Sequence, residues 1–305
     1  MNEIRIAVLI PCFNEEKTIS KVIKDFQVAL PSAKIVVCDN NSTDKTSIVA
    51  KESGAEVLFE PSKGKGNAVR KLFYSTNADI YVMADGDSTY DASSVNEMIN
   101  ILIKEKLDMV VGSRKTEDSF AYREGHVFGN WLLTKTVSLI FNKGFTDMLS
   151  GYRVFSDRFV RSFPLESSGF EIETEITIHA LQLKLPSIEV PTNYYSRPDG
   201  SESKLNTLKD GFRILKTIVV LFKEYKPLQF FSIFSLICFV LSILISVPII
   251  MTWIQTGLVP RIPSAILSSG LMILAFMSFF SGVILSSISK QRLEIKRLFY
   301  LNKFQ

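Results

Sequence analysis

The sequence predicts an α/β domain with a mostly parallel sheet, followed by two helices that cross a membrane. In the amino-terminal three quarters, short β-rich runs alternate with segments of helical periodicity, a pattern typical of right-handed crossovers and a parallel sheet. Residues 227–289 are nearly free of charge: after Lys226 the next charged residue is Arg261, and the one after that is Lys290. This uneven distribution reconciles the 47% hydrophobic content with the 22% of charged residues.

Composition and motif spacing exclude several classes of protein. The net charge of +4 is too small to indicate nucleic-acid binding. Cys12, Cys38 and Cys238 lack the spacing of metal ligands and are expected to be small buried residues. The sequence has no Gly-x-Gly-x-x-Gly after the first strand and no Gly-x-x-x-x-Gly-Lys-Ser/Thr. We therefore expect neither a dinucleotide cofactor nor a P-loop nucleotide site.

Seven β-rich runs are predicted as strands: residues 4–10, 33–38, 55–59, 80–84, 108–112, 154–155 and 185–190. Pro11 is expected to end the first strand, because proline donates no hydrogen bond to a sheet. Asn14 then opens a helix whose apolar residues recur at helical spacing. Distinctive polar residues follow the carboxyl ends of the strands, and open α/β sheets bind their ligands there. The sequence therefore predicts one site at this edge of the sheet.

The most informative of these polar stretches is Asp85, Gly86 and Asp87, which follows the fourth predicted strand. Two carboxylates one residue apart repel each other unless a cation or several hydrogen-bond donors lie between them. Oxygen ligands suit Mg²⁺ or Mn²⁺, which keep water and substrate phosphates as their other ligands. Gly86 would leave room for a diphosphate to approach. A surface turn is the alternative interpretation, since Asp and Gly are common in turns.

Two further loops are candidates for phosphate binding. A turn that contains Lys63, Lys65 and Gly66 leads into a helix, which indicates either a phosphate loop or a flexible, solvated loop. A second loop, rich in Ser and Gly, lies between Arg197 and Lys204. Because a cation stands at each of its ends, this loop can close over phosphates.

Two groups of polar residues are interpreted as structural. Glu171, Glu173 and Glu175 fall in the first turns of a predicted helix, where negative charge favours the helix dipole. His126 and His179 are interpreted as packing or hydrogen-bonding residues rather than ligands.

The end of the chain is predicted to meet the membrane. Residues 205–226 interleave apolar residues with Lys and Arg, which indicates either a helix in the membrane interface or a helix packed on the sheet. Residues 228–251 and 264–289 are each long enough to span a bilayer. Basic residues flank the pair on both outer sides, whereas the connecting loop holds only Arg261, so the positive-inside rule places both termini in the cytoplasm.

The chain is accordingly divided into four parts. We expect a cytoplasmic catalytic domain over residues 1–204 and an amphipathic interfacial helix over 205–226. Two transmembrane helices follow within 227–289, at about 228–251 and 264–289, and a basic cytoplasmic tail occupies 290–305.

The ordered set of motifs resembles family 2 glycosyltransferases with the GT-A fold. The motifs are Pro11-x-x-Asn14-Glu15-Glu16, Asp39-x-x-Ser42-x-Asp44, Lys63-x-Lys65-Gly66 and Asp85-x-Asp87. A second set resembles the branch of dolichol-phosphate mannose synthases and bactoprenol-phosphate glucosyltransferases: Gly112-Ser113-Arg114, Asp147-x-x-x-Gly151-Tyr152-Arg153 and residues 197–204. The resemblance covers about residues 4–226, and the two-span tail is similar to that of the bacterial members.

The resemblance implies a role for each matching residue. The nucleotide pocket would be shaped by Pro11, Phe13 and Glu15, with Asp39 at the base and ribose. Asp85 and Asp87 would hold Mg²⁺ or Mn²⁺ on the donor diphosphate, with Gly86 and Lys65 beside them. Phosphates of donor or acceptor would be held by Arg114, Arg197 and Lys204, with Arg123 where an acceptor phosphate fits. Asp147 is a candidate base or orienting group, and a simple turn residue is the alternative.

Two residues depart from the family pattern. Several relatives carry a second Asp where this chain has Asn40, which leaves the nucleotide base open. Mannose synthases carry Gln where this chain has Thr89, which weakens any assignment of GDP-mannose as the donor.

The resemblance implies a membrane-bound, inverting glycosyltransferase that moves a sugar from a nucleotide sugar to a polyisoprenyl phosphate. The product would be a lipid-linked sugar for a cell-envelope glycan, made at the inner membrane by a multi-pass protein that is compatible with a homo-oligomer. A glycosyltransferase for another lipid head group and a non-catalytic membrane scaffold remain as alternatives. A processive polysaccharide synthase is disfavoured, because the sequence contains no Gln-x-x-Arg-Trp.

The charge pattern generates a prediction about topology. Reporter fusions at the amino terminus and at Gln305 should both report the cytoplasm, and a reporter inserted after Thr256 should report the outside. The measurement is the activity of paired reporters that are active on opposite sides of the membrane. Termini on opposite faces would mean that one of the two apolar runs does not span.

Overall fold

The structure is a computed structural model, and it describes residues 4–115, 134–139, 141, 145–164, 172–196, 216 and 218–301. Three predicted site residues, Arg123, Arg197 and Lys204, lie outside these ranges. The chain forms two compact units. The first comprises Met1–Asp210 with Lys296–Gln305, and the second comprises Gly211–Ile295.

A seven-stranded sheet lies at the centre of the first unit. Its strands are β1 (Ile6–Cys12), β2 (Lys34–Asp39), β3 (Glu56–Phe59), β4 (Ile80–Met83), β5 (Met109–Lys115), β6 (Arg153–Ser156) and β7 (Ser187–Asn193). The strand order is β3-β2-β1-β4-β6-β5-β7, and β6 alone runs antiparallel to its neighbours. The predicted mostly parallel sheet is therefore confirmed, and the carboxyl ends of six strands lie along one edge.

The α-helices of the first unit whose bounds are described are α1 (Ile19–Ala29), α2 (Thr46–Glu52), α3 (Lys65–Ser75), α4 (Val95–Lys104), α5 (Asp157–Ser162) and α6 (Ile172–Leu183). A 3-10 helix spans Ala92–Ser94, and residues 134–139 and 141 are also helical. In α1 the residues at helical spacing, Ile19, Val22, Ile23 and Phe26, are all buried, as their periodicity predicts. They join strand residues such as Val82 in one hydrophobic core. The central strands are buried on both faces and therefore read as nearly continuous apolar runs.

The prediction that Pro11 ends the first strand is wrong. β1 continues to Cys12, and Pro11 is paired in register with Cys38 of β2. Alternate residues of a strand hydrogen-bond to opposite neighbours, and at Leu9 the carbonyl accepts from Ala84 on the β4 side. The backbone of Pro11 faces the same side as that of Leu9, but β4 has already ended at this level. The N–H that proline lacks would therefore have no β4 strand carbonyl as its acceptor.

The second unit contains the two apolar helices. They are α7 (Pro227–Thr256) and α8 (Ile262–Leu301), of which α8 extends into the segment that belongs to the first unit. By length and composition both are apolar enough to cross a membrane. Gly257 caps the carboxyl end of α7, and its φ of 70° is the left-handed conformation that favours glycine. The segment predicted as a basic tail from residue 290 continues α8 as a helix up to Leu301. Of the predicted amphipathic helix, residues 218–225 are described and are helical.

Small residues set how closely α7 and α8 pack within this unit. A Cβ added at Gly282 would lie 2.9 Å from Phe231 Cβ and 3.4 Å from Leu228 Cα. The Ser242 hydroxyl donates to the Ser268 carbonyl at 2.8 Å, so a buried hydroxyl finds its partner on the other helix. Such contacts are typical of helix pairs in lipid, where small residues let the backbones approach.

The packing predicts that Gly282→Ala loosens the hairpin, whereas Gly270→Ala does not. Nothing lies within 4 Å of a Cβ built at Gly270. Overpacking of a tight contact costs about 1–3 kcal/mol, and an added methyl at an open helical site costs nothing. The measurement is the unfolding temperature of the detergent-solubilised protein. Equal unfolding temperatures for the two variants would contradict the close packing at Gly282.

Candidate active site at the carboxyl edge of the sheet

The loops after β1 and β2 are joined by hydrogen bonds. The backbone N–H of Asn14 donates to Ser42 Oγ at 2.9 Å, and the N–H of Thr43 donates to Asn14 Oδ1 at 2.8 Å. At the end of β2, Asp39 is buried and its Oδ1 accepts from the N–H of Ser42 at 3.1 Å. Among the predicted nucleotide-side residues, Pro11 and Asp39 lie at the ends of β1 and β2, and Phe13 and Glu15 lie in the loop after β1. The hydrogen bonds between the two loops join these segments into one wall.

Asn40 anchors the Lys63–Gly66 turn, and the sequence did not reveal this role. Its Nδ2 donates to the carbonyls of Glu60 at 3.2 Å and Ser62 at 2.7 Å. Its Oδ1 accepts from the N–H of Gly64 at 2.6 Å, where φ is 134°. An aspartate could accept from Gly64 but has no N–H for the two carbonyls. These hydrogen bonds explain why the position holds asparagine and not aspartate.

Lys65 begins α3 and lies between two carboxylates. Its ammonium is 2.5 Å from Asp85 Oδ1 and also forms an ion pair with Glu173. The side chains are 13% exposed for Lys65, 25% for Asp85 and 5% for Glu173. Burial acts to lower the pKa of Lys65, but the attraction of Asp85 and then Glu173 outweighs it, so that the pKa is raised. Lys65 is therefore a charged residue of the site at neutral pH.

Glu173 was interpreted as structural from the sequence, and the ion pair with Lys65 was missed. The available signal was its position in α6, where nearly every described residue is buried. A carboxylate in such a helix needs a partner, because charged residues are almost never fully buried unless paired. The identity of that partner depends on tertiary structure and could not be predicted.

Asp87 is held by the residue that departs from the mannose-synthase pattern. The Asp87 carboxylate is buried, and its Oδ1 accepts from the hydroxyl of Thr89 at 2.7 Å and from its N–H at 3.3 Å. Ser88 between them has φ 61°, an uncommon conformation for serine. The turn after β4 thus holds the second carboxylate in one orientation.

Gly86 has a packing role that differs from the expected one. A Cβ at this position would lie 2.6 Å from Cys12 Sγ, so glycine is required by the close approach of β1. Its carbonyl accepts from the Thr18 hydroxyl at 2.6 Å, which ties the turn to α1. The space reserved by Gly86 is therefore taken by the Cys12 thiol.

Arg114 and Asp147 form a two-point ion pair. Arg114 Nε and Nη2 each lie 2.7 Å from an oxygen of the Asp147 carboxylate, and the Arg114 N–H also donates to it at 3.1 Å. The Arg114 guanidinium lies 5.5 Å from the ring centroid of Tyr194. Burial acts to raise the pKa of Asp147, but the hydrogen bonds from Arg114 outweigh it and the pKa is lowered. Asp147 is thus an ionised carboxylate that orients Arg114.

The loop that carries Asp147 is fixed by a buried cation. Arg153, with no exposed surface, donates to the carbonyls of Met148 at 2.6 Å and Ser150 at 2.9 Å, and to Thr177 Oγ1 at 2.9 Å. Burial lowers the pKa of Arg153 to about 10, against the opposing effect of nearby carboxylates. Arg153 still carries its charge at neutral pH and holds this loop against the sheet.

The same loop closes on Asp85 through Gly151. The Gly151 N–H donates to the Tyr90 hydroxyl at 2.9 Å, and a Cβ on Gly151 would lie 2.6 Å from Asp85 Oδ2. The residues brought together are thus Lys65, Asp85 and Glu173 on one side and Arg114 with Asp147 on the other. Their contacts belong to one continuous edge of the sheet.

The carboxylates after β4 fit a divalent cation of the Mg²⁺ or Mn²⁺ type. Asp85 and Asp87 carry the oxygen atoms that such a cation prefers, and Asp85 already attracts a cation in the form of Lys65. Among the described residues, no group of three or more His, Cys, Asp or Glu side chains is placed to hold a metal ion. A cation here would therefore need water and substrate oxygens as further ligands.

Comparison with known proteins identifies the family of this chain. The family model described as Glycosyl transferase family 2 matches residues 7–162. The chain belongs to glycosyl transferase family 2. It is therefore a glycosyltransferase, and the predicted enzyme class and GT-A type fold are confirmed.

Relatives of this family 2 glycosyltransferase cover most of its length. Glycosyltransferase AglJ from Haloferax volcanii is 30% identical over 96% of this chain and 98% of AglJ. The dolichyl-phosphate hexose transferase of the same organism is 26% identical over 70% of this chain and 92% of that protein. A crystal structure of glucosyl-3-phosphoglycerate synthase from Mycobacterium tuberculosis with Mn²⁺, uridine diphosphate and glucosyl-3-phosphoglycerate has a TM-score of 0.57 and 23% identity. The match covers 72% of this chain and 79% of the synthase chain, and it is evidence for the fold only.

The contact between Gly151 and Asp85 predicts that Gly151→Ala impairs sugar transfer by this family 2 enzyme. A methyl group 2.6 Å from Asp85 Oδ2 must displace the loop or the carboxylate. A misplacement of about 1 Å in an active site can cost roughly 100-fold in rate, so we expect kcat/KM to fall at least tenfold. Gly270→Ala, at a site with nothing within 4 Å, is the matched control. Unchanged kcat/KM in Gly151→Ala would contradict the close approach.

Proposed function

We propose that this enzyme transfers a sugar from a nucleotide-sugar donor to a polyisoprenyl phosphate in the membrane, with inversion at the anomeric carbon. The observation that carries the proposal is the combination, in one chain, of a family 2 glycosyltransferase domain with two helices apolar enough to cross a membrane. A soluble acceptor would not require such helices, whereas an isoprenoid is confined to the bilayer. The relative named dolichyl-phosphate hexose transferase supports a lipid phosphate as acceptor.

The chemistry of the acceptor suits the charges of the site. The second pKa of a phosphate monoester is about 6, so a polyisoprenyl phosphate is largely a dianion at neutral pH. A phosphate oxygen in this form is already a nucleophile and needs no strong base. It attacks the anomeric carbon as the bond from that carbon to the nucleoside diphosphate breaks, and the diphosphate leaves with the electron pair. The main task of the protein is to hold the two substrates in line.

Asp147 serves this reaction as an orienting group rather than as a base. Both of its oxygens accept from Arg114, and its lowered pKa makes it a poor proton acceptor. Arg114 is then the cation that contacts a substrate phosphate, aligned by Asp147. Arg123, Arg197 and Lys204, assigned by resemblance, would complete the phosphate contacts.

The donor would bind along the other part of the edge. The wall that contains Pro11, Phe13, Glu15 and Asp39 would take the nucleoside. Asp85 and Asp87 would hold Mg²⁺ or Mn²⁺ there, and the metal when bound would neutralise charge on the departing diphosphate. The structural neighbour that was crystallised with Mn²⁺ and uridine diphosphate supports a divalent metal of this kind. Lys65 is in contact with the first of these carboxylates, Asp85.

The proposal includes the location of the enzyme. The domain of residues 1–204 and both termini would lie in the cytoplasm, with residues 205–226 in the membrane interface and residues 290–305 returning to the cytoplasm. The product would be a lipid-linked sugar for envelope glycans. A homo-oligomer is compatible with this arrangement.

The direct test is an assay on membranes that contain the protein. Undecaprenyl phosphate is supplied together with a panel of nucleotide sugars and Mg²⁺ or Mn²⁺, and the lipid product is identified by mass spectrometry. Wild type should form a polyprenyl-phosphate sugar, and Asp87→Ala should lose at least 100-fold in rate, because one of the two carboxylates that would hold the metal is gone. Glu97→Ala, which removes an exposed carboxylate from the first turn of α4, should keep wild-type activity.

Other outcomes would lead to the alternatives. A glycosylated diacylglycerol without any polyprenyl product would indicate another lipid head group as acceptor. Wild-type rates in Asp87→Ala in the presence of a chelator would contradict the metal assignment. No product from any donor with either lipid would contradict both of these acceptors.

A further inference from the structure

We propose that Lys65 is a built-in counterion that the metal displaces from Asp85, and that Glu173 is the positioning residue that receives Lys65 when this happens. The inference rests on the proposed metal site at Asp85 and Asp87. It assigns a function to Glu173, for which neither the motifs nor the comparisons provide one.

The first step is that one ammonium serves two carboxylates. Lys65 Nζ lies 2.5 Å from Asp85 Oδ1 and contacts the Glu173 carboxylate as well. All three side chains are largely removed from solvent, so each carboxylate needs this cation. A divalent cation that binds the Asp85 carboxylate shares this group with Lys65, which contacts Oδ1, and it repels the ammonium. The two cations therefore compete for Asp85.

The second step is that Glu173 is held in place while Lys65 can move. Glu173 lies in the first turn of α6, and its backbone carbonyl accepts from the Thr177 hydroxyl at 2.9 Å. Thr177 Oγ1 in turn accepts from the buried guanidinium of Arg153. Lys65 has four methylene groups between its backbone and its charge, so a small change of side-chain torsions can move the ammonium away from Asp85 while it stays in contact with Glu173. Because the backbone of Glu173 is held in place, its carboxylate can retain the displaced cation.

The third step concerns how Glu173 affects the competition between Lys65 and the metal for Asp85. With Glu173 present, Lys65 keeps an ion pair after it leaves Asp85, and metal binding does not leave a buried ammonium without a partner. Without Glu173, Lys65 can be neutralised only by Asp85 among the contacts described here, and metal binding must break that pair outright. Glu173 therefore favours metal binding through Lys65 and not as a ligand.

A double-mutant cycle distinguishes an effect of Glu173 that acts through Lys65 from a direct role of Glu173 as a metal ligand. Mn²⁺ binding to the detergent-solubilised full-length protein, without nucleotide, is measured by the electron paramagnetic resonance signal of free Mn²⁺. Glu173→Gln should weaken Mn²⁺ binding at least fivefold in the wild-type background. In the Lys65→Met background the same substitution should change the affinity less than twofold, because no ammonium is left to be received. Glu97→Gln, an exposed change of equal charge on α4, is the control and should have no effect.

Each other outcome overturns the inference. An equal loss of affinity in both backgrounds would show that Glu173 acts directly, as a ligand or through its charge. No loss in either background would show that it takes no part. If Glu173→Gln lowers the unfolding temperature, Glu173→Asp replaces it, since the shorter carboxylate keeps the charge but reaches Lys65 less well. The loss should then be smaller than fivefold and should still vanish in Lys65→Met.

The test also separates this inference from the proposed function. Wild-type protein that binds no Mn²⁺ would overturn both the inference and the metal assignment. Wild-type protein that binds Mn²⁺ and follows the expected cycle, but makes no polyprenyl-phosphate sugar, would contradict the proposed acceptor and leave the role of Glu173 intact.

Discussion

The fully buried guanidinium of Arg153 is the interaction on which the rest of the site depends. Removing an ion from water costs several kcal/mol unless hydrogen bonds replace the hydration. Arg153 recovers that loss from two loop carbonyls and the Thr177 hydroxyl. The loop cannot move away without leaving a buried charge unsatisfied. Its position is therefore set by a strong requirement, although the loop itself has no regular secondary structure.

This requirement orders both halves of the site. The carbonyls that Arg153 binds belong to Met148 and Ser150, which lie between Asp147 and Gly151. One end of the loop thus presents Asp147 to Arg114, and the other end brings Gly151 against Asp85. Because Asp85, Glu173 and Asp147 each meet a cation, these charges at the edge of the sheet are paired before any substrate binds. Substrate phosphates and a metal would therefore replace existing ion pairs at these residues and would not bind to isolated charges.

The sequence predicted the seven strands of the sheet well because strand formation depends on local signals, although β1, β5 and β7 continue two or three residues beyond their predicted ends. Apolar runs, turns after strands and the spacing of Asp85 and Asp87 are visible along the chain. What could not be predicted were pairings between distant segments: Glu173 with Lys65, and Arg153 with the carbonyls of its own loop. A buried ion pair leaves no periodic trace in the sequence. The prediction that Pro11 ends β1 was wrong for a related reason. The neighbouring strand β4 ends before it reaches Pro11, and this depends on how the sheet is assembled.

The two departures from the family pattern acquire a physical explanation. The resemblance left the nucleotide base open at Asn40 and the sugar open at Thr89. In the structure Asn40 donates to two carbonyls of the turn before Lys65, and Thr89 orients the Asp87 carboxylate. Both contacts are with the protein itself. The differences therefore adjust the framework around Lys65 and Asp87. Because contacts within the protein account for both residues, these two differences are not by themselves evidence of a different donor.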